Sequence, residues 1–267
     1  MPSHRRRIHR SRRSKKPFLI VGFIVAVVAI ALVAFYIVSN TEYTLTVHII
    51  GQGSVISGNA TYSPDTIVDL TAVNAPDWTF YGWNGDASGA GNTSITMNDN
   101  KDATAVFLPN TNKILLITSM GNITLQLRND TPITTGNFKN LVLQGKYDGT
   151  IFHRVIADFM IQGGQINSSW PTIEDELGSN NTNVRGTIAM AKTSEANSAT
   201  TQFFINVVNN GNRSATFDST YTVFGDVIDG MDVVDAISKV PVVEDTTTGE
   251  ISLPAQNVTL IKAEFIY

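Results

Sequence analysis

The residues best suited to chemistry lie in one run, Phe152-His153-Arg154-Val155-Ile156-Ala157-Asp158-Phe159-Met160-Ile161-Gln162-Gly163-Gly164. It sets one arginine and one amide side chain among bulky apolar residues and closes on a glycine pair. Such a combination suits a site that grips an apolar ring while orienting a neighbouring peptide group. A second run, Ala196-Asn197-Ser198-Ala199-Thr200-Thr201-Gln202-Phe203-Phe204-Ile205-Asn206, follows about 40 residues later. Other chemistries find little support. There is no Gly-rich phosphate loop and no Gly-x-Ser-x-Gly elbow. The 4 histidines show no zinc spacing. The absence of cysteine removes disulfides, thiol catalysis and Cys-ligated metal together. Glu174, Asp175 and Glu176 look like a paired-carboxylate site, but Ile173 and Leu177 flank them, and a solvated or loop-capping role is expected.

The elements that must position these runs begin at Lys113. Ile114 and Leu116 lead to a turn at Met120-Gly121-Asn122, and Ile123, Leu125 and Leu127 alternate back, which predicts a β-hairpin. Pro132, Thr134 and Thr135 open a helix with Phe138, Leu141 and Val142 on one face, and Gly145 stops it. A second short helix with Met231, Val234 and Ile237 follows Gly230. The remaining segments read as short strands and loops.

Together, the two runs resemble the signature of cyclophilin-type peptidyl-prolyl cis-trans isomerases, and the resemblance extends from Lys113 to Tyr267. It implies a mainly β fold, a closed antiparallel barrel capped by two helices. It also implies that proline-containing polypeptides are the substrates and that no cofactor or metal is needed. On this resemblance Arg154, Gln162 and Phe159 are the catalytic set, Arg154 aiming its guanidinium at the prolyl amide. Met160, Phe159 and Phe204 match the wall that receives the proline ring, and Gln162 the amide that holds the substrate backbone. Ala191, Lys192 and Gln202 join the substrate-binding set, the segment Met190-Ala191-Lys192 pairing with the substrate largely by backbone. Thr216-Phe217-Asp218-Ser219-Thr220-Tyr221 aligns on the family's Trp-Leu-Asp-x-x-His stretch, so Phe217 stands for the pocket leucine and Tyr221 for the histidine. Thr216 replaces a tryptophan that helps many members bind cyclosporin, which implies weak sensitivity to that drug. His153 is expected to belong to the barrel rather than to the chemistry.

Charge and hydropathy organise the rest of the chain. Residues 1–16 hold 8 of the 19 Lys and Arg and no acid, leaving 11 basic against 23 acidic side chains, a formal charge of −12. A basic tail on an acidic body argues against nucleic acid as the partner of the folded part. Phe18–Val38 follows without a charge, and at about 1.5 Å per residue it covers the roughly 30 Å of a hydrocarbon core. Residues 17–39 are therefore expected to form a transmembrane signal-anchor, with residues 1–16 in the cytoplasm and the domains outside the cell. Cleavage after Ala29-Ile30-Ala31, which would release a secreted protein, leaves Leu32–Val38 as an apolar stub. The Asn-X-Ser/Thr sequons at Asn59, Asn92, Asn122, Asn129, Asn167, Asn180, Asn212 and Asn257 add mild support for an outside location.

Between anchor and isomerase-like domain, residues 41–108 show period-2 patterns at Tyr43-Leu45-Val47-Ile49, Val68-Leu70-Ala72 and Ala103-Ala105-Phe107. With Phe80-Tyr81-Gly82-Trp83-Asn84-Gly85-Asp86 between them, they resemble the divergent internalin-type B repeat of secreted surface proteins. Its aromatics are expected to form the core of a small β domain that acts as a spacer, with residues 109–112 as linker. The function this organisation predicts is a membrane-tethered isomerase that speeds proline-limited folding of exported proteins. The alternative is a catalytically weak cyclophilin-fold module that binds proline-containing partners at the surface.

Overall fold

The structure, a computed structural model, describes residues 16–39, 41–214 and 216–267. Apart from Lys16, the basic tail expected at residues 1–16 lies outside the described residues. Helix α1 (Lys16–Ser39) takes in the whole apolar run. Its side chains are described at residues 23–33 and 36, and all of these are exposed. Among the described residues no helix is long and apolar enough to cross a membrane.

Seven strands follow: β1 (Tyr43–Ile50), β2 (Gly53–Ile56), β3 (Ala60–Tyr62), β4 (Ile67–Asn74), β5 (Trp78–Gly85), β6 (Thr93–Thr96) and β7 (Lys101–Pro109). They make a four-stranded sheet of order β3-β1-β7-β5 and a three-stranded sheet of order β2-β4-β6. Leu45, Val68, Leu70, Trp83, Ile95, Met97 and Phe107 share one core cluster. The aromatics serve this core as expected, with Phe80 edge-on to Phe107 at 5.4 Å and tilted against Trp83 at 5.2 Å. Tyr81 does not, because a register shift between Phe80 and Gly82 turns it outward. It meets Gly136, where an added Cβ would stand 2.2 Å from Tyr81 Cε2. Strand β7 is correspondingly buried on both faces, with Val106 and Leu108 covered as well as Ala103, Ala105 and Phe107. The repeat thus docks on the second domain rather than standing off as a spacer.

That domain opens with the hairpin β8 (Lys113–Thr118) and β9 (Gly121–Leu127), then α2 (Pro132–Leu143), β10 (Thr150–Ile151), β11 (Arg154–Ile156), β12 (Met160–Gly163) and β13 (Thr187–Met190). It continues with β14 (Phe203–Asn206), β15 (Val223–Asp229), α3 (Met231–Ile237), β16 (Val242–Asp245), β17 (Glu250–Pro254) and β18 (Thr259–Ile266). Nine strands form one curled sheet of order β10-β18-β8-β9-β15-β13-β14-β12-β11, while β16 and β17 pair as a separate hairpin. The closed barrel expected from the resemblance is instead open. Its edge strands β10 and β11 are consecutive in the chain and do not pair with each other. Thr150 and Ile151 pair with β18, and the amide of Phe152 still bonds Val258. After His153 the chain turns to β12, pairing Arg154 with Gln162. Covalent chain, rather than a hydrogen-bonded ladder, crosses the seam.

The two expected helices are present. Phe138 and Leu141 of α2 and Val234 and Ile237 of α3 are fully buried and join the main core with Ile114, Leu116, Ile123 and Leu125. Thr131 makes no side-chain cap for α2. The Glu176 carboxylate does so instead, accepting from the amides of Ile133 (3.0 Å) and Thr134 (2.8 Å). A carboxylate placed at the positive end of a helix satisfies two otherwise orphaned donors.

Candidate active site

Strand parity builds the site. Arg154 lies across from Gln162, and Gln162 across from Phe204. Ala189 in turn lies across from Phe204. Directly paired residues share a face of a sheet, so this row stands on one side. The alternate residues Val155, Ile161, Phe203 and Ile205 enter the main core. Met160, Ala189, Phe204, Phe217 and Val223 form a second cluster, with Phe159, Ala191 and Tyr221 packed on it. The two sequence runs therefore serve both sides of one sheet, which explains their mixture of core and pocket residues.

A cavity of about 120 Å³ opens in that second cluster, lined by Arg154, Phe159, Met160, Gln162, Ala191, Lys192, Phe204, Phe217 and Tyr221. Its walls are edge-to-face aromatics: Phe159–Phe217 at 6.0 Å, Phe204–Phe217 at 6.2 Å and Phe204–Tyr221 at 5.4 Å. Such packing fixes ring positions beyond what area burial alone would do. Arg154 stands at the rim with its Cζ 5.8 Å from the Phe159 centroid. Its Nη1 reaches toward Gln162 Oε1 at 3.4 Å. Gln162 donates through Nε2 to Gln202 Oε1 at 2.9 Å, so Gln202 orients it from behind the cavity wall. Every residue expected at the site is thus either in the cavity lining or, for Gln202, one hydrogen bond away.

Lys192 lines the cavity with its chain, but its ammonium is turned to the Asp175 carboxylate at 2.6 Å, both side chains being nearly buried. This answers the carboxylate cluster too. Asp175 is a partner for Lys192, Glu176 caps α2, and the amide of Glu176 bonds Thr222 Oγ1 at 3.0 Å beside the pocket rim. His153 sits closer to the site than expected, its Nε2 3.5 Å from Gln162 Nε2 and its Nδ1 buried with no hydrogen-bond partner among the described residues. Burial pushes its imidazole pKa down, against an opposing hydrogen bond with Gln202.

Sequence reasoning missed the polar frame behind the aromatic wall. Asn183 bonds Asp218 Oδ1 through its amide at 2.7 Å, and Asn181 donates to the carbonyls of Asp218 and Tyr221. Asn210 donates to the Phe159 carbonyl at 2.8 Å, and Arg213 lies over the Phe159 ring with its Cζ 4.0 Å from the centroid. Buried amides of this kind specify one arrangement because each unpaired group would be costly. The only signal in the sequence was asparagine recurring beside apolar strands.

Chemically the cavity offers a small apolar cup with one multi-donor cation and one oriented amide at its lip. Among the described residues no group of His, Cys, Asp or Glu could hold a metal ion. The sequence model described as "Cyclophilin type peptidyl-prolyl cis-trans isomerase/CLD" matches residues 113–264, more than half of the chain. The chain belongs to the cyclophilin-type peptidyl-prolyl cis-trans isomerases. A relative from Acinetobacter baylyi, named peptidyl-prolyl cis-trans isomerase, is 46% identical over 156 residues, 55% of this chain and 81% of the relative. One from Streptomyces antibioticus, named peptidyl-prolyl cis-trans isomerase cyp18, is 43% identical over 57% of this chain and 96% of its own. These relatives support the enzyme activity directly. A crystal structure of a Cryptosporidium parvum cyclophilin-type isomerase, solved in the presence of the dipeptide Ala-Pro, aligns at 24% identity and a TM-score of 0.50. It covers 58% of this chain and 99% of its own, and shows the shared fold. Residues 43–111 match the model described as "Divergent InlB B-repeat domain". The cyclophilin domain of this protein is therefore joined to a repeat of a second family.

Proposed function

We propose that this cyclophilin works outside the cytoplasm, tethered by α1, and that Arg154 drives isomerisation of proline-containing segments of exported proteins. The barrier to rotation about an X–Pro bond is the loss of amide resonance, and uncatalysed exchange takes tens to hundreds of seconds. A catalyst needs to hold the ring while favouring the twisted amide over the planar one. Phe159, Met160, Phe204 and Phe217 form the cup for the ring. In the twisted state the prolyl nitrogen regains a lone pair, and the Arg154 N–H groups at the lip donate to it or to the neighbouring carbonyl. Gln162, fixed by Gln202, holds the substrate backbone so that only the acyl side rotates.

The observation that carries the catalytic part is the convergence of Arg154, Gln162 and the aromatic wall on one small cavity. Replacing Arg154 by Ala in the full chain in detergent is expected to lower kcat/KM on a proline peptide by about 10²–10³, the loss typical of one preorganised donor. Equal rates would remove Arg154 from the mechanism.

The tether is supported by the uncharged run Phe18–Val38, the cationic flank before it, and the exposed apolar side chains of α1. Alkaline extraction should leave the full chain in the membrane pellet, and protease added to intact cells should digest its cyclophilin domain. Release into the supernatant, or protection from the protease, would contradict this placement.

A further inference from the structure

The hairpin β16–β17 lies outside the curled sheet, yet its first β17 residue reaches the pocket rim. Glu250 accepts from Arg154 Nε at 2.6 Å and from Nη2 at 2.8 Å, a two-point grip on one edge of the guanidinium. Arg154 Nη1, on the other side, is left facing Met160 and Gln162. The carboxylate itself stands on a hydrogen-bonded turn. Asp245 accepts the amide of Thr247 through its side chain (2.8 Å) and that of Gly249 through its carbonyl (2.7 Å). Gly249 completes the turn at φ +73°, a conformation that favours glycine.

We infer that Glu250 is a positioning residue for isomerisation, gripping the Nε–Nη2 edge of Arg154 so that Nη1 is presented to the prolyl amide. The inference rests on the reading of Arg154 as the donor. Arginine carries large rotamer freedom, and a planar two-point contact removes it while fixing the plane of the fork. Stability does not account for the pair. About a third of each side chain is exposed (33% and 38%), and ion pairs this wet contribute little to folding. The contact therefore acts chiefly on the orientation of a group whose misplacement by about 1 Å can cost a hundredfold in rate.

The test measures kcat and KM separately on a proline peptide, using the full chain and its Glu250→Gln and Glu250→Asp variants. Glu244→Gln, which removes an exposed carboxylate from the same hairpin without touching Arg154, is the control. Glu250→Gln is expected to lower kcat roughly tenfold or more with KM nearly unchanged and the melting midpoint within that of the control. Glu250→Asp, with its shorter reach, should fall between. In an Arg154→Ala background, assayed at proportionally higher enzyme, Glu250→Gln should cause no further loss. A kcat equal to the control, a gain in kcat, or a further loss in the Arg154→Ala background would each overturn the inference. Full activity of Arg154→Ala alone would instead refute the reading of Arg154.

Discussion

Arg154 and Lys139 are two of the sheltered cations of this molecule, and they are treated in opposite ways. At the pocket rim Arg154 is clasped by a carboxylate from a hairpin almost a hundred residues away in the chain. At the junction of the two domains Lys139 of α2 is buried and donates to Asn112 Oδ1 at 3.1 Å. Among the described residues no carboxylate offsets its burial, which pushes its pKa down to about 8. The contrast teaches what a paired cation is for. Arg154 is held in a set direction by its carboxylate, whereas Lys139 merely occupies the rim of a cleft between Tyr81, Asn110 and α2. One is held for direction; the other carries a cost.

The sharpest way to break this comparison is to keep the charge at Arg154 and remove the fork. Arg154→Lys should lose roughly 10² in kcat/KM, because a single ammonium cannot meet Glu250 at two points and still face the proline. Retention of most activity would show that charge, rather than orientation, is what the rim supplies.

At the junction, Gly136→Ala tests whether docking of the repeat is tight. Helix propensity alone would stabilise by about 1 kcal/mol, but the new methyl would collide with Tyr81. Overpacking typically costs about 1–3 kcal/mol. A lower melting midpoint in the full chain is expected, recovered when Tyr81→Ala is added. A plain increase would show that the repeat yields easily.

Lys139→Met should raise stability at pH 7 by roughly 1–2 kcal/mol, allowing for solvent in the adjoining cleft. The sign follows from linkage. With a folded pKa of about 8 against 10.5 unfolded, the folded state resists the proton, so the penalty is full below pH 8. It is relieved as pH rises from about 8 to 10.5, and the advantage of the Met variant should fade over that window in urea titrations. A pH-independent difference would point to packing instead. The smallest effect concerns the outer lip. Thr216 is exposed beside Phe217, and Thr216→Trp should tighten cyclosporin inhibition while leaving peptide turnover within about twofold. Unchanged inhibition would show that the lip is not what sets sensitivity.

Much of the pocket was legible because its residues sit in two short runs whose types alternate with the faces of a sheet. Arg154, Gln162 and Phe204 then follow from pairing between neighbouring strands. The two helices were legible from Pro132, Gly145 and Gly230, residues whose backbone constraints are local. Glu250 was not, since a glutamate after Thr-Thr-Gly says nothing about a partner in a distant strand. Nor was the turning of the Lys192 ammonium to Asp175, which depends on how the loop at Ile173–Leu177 folds back over the rim. The docking of the repeat left one faint mark, a glycine inside a helix. The open seam between β10 and β11 had none, because a family resemblance conveys strand order better than it conveys which edges bond.

The central claim is that Arg154 acts on the twisted amide rather than on binding of the peptide. Magnetisation-exchange NMR on an Ala-Pro peptide with the full chain tests it most directly, since line broadening reports binding and cis–trans cross-peaks report turnover. Arg154→Ala should retain the broadening while its exchange rate falls by about 10²–10³. Cross-peaks as strong as those of the unmodified protein would contradict the account.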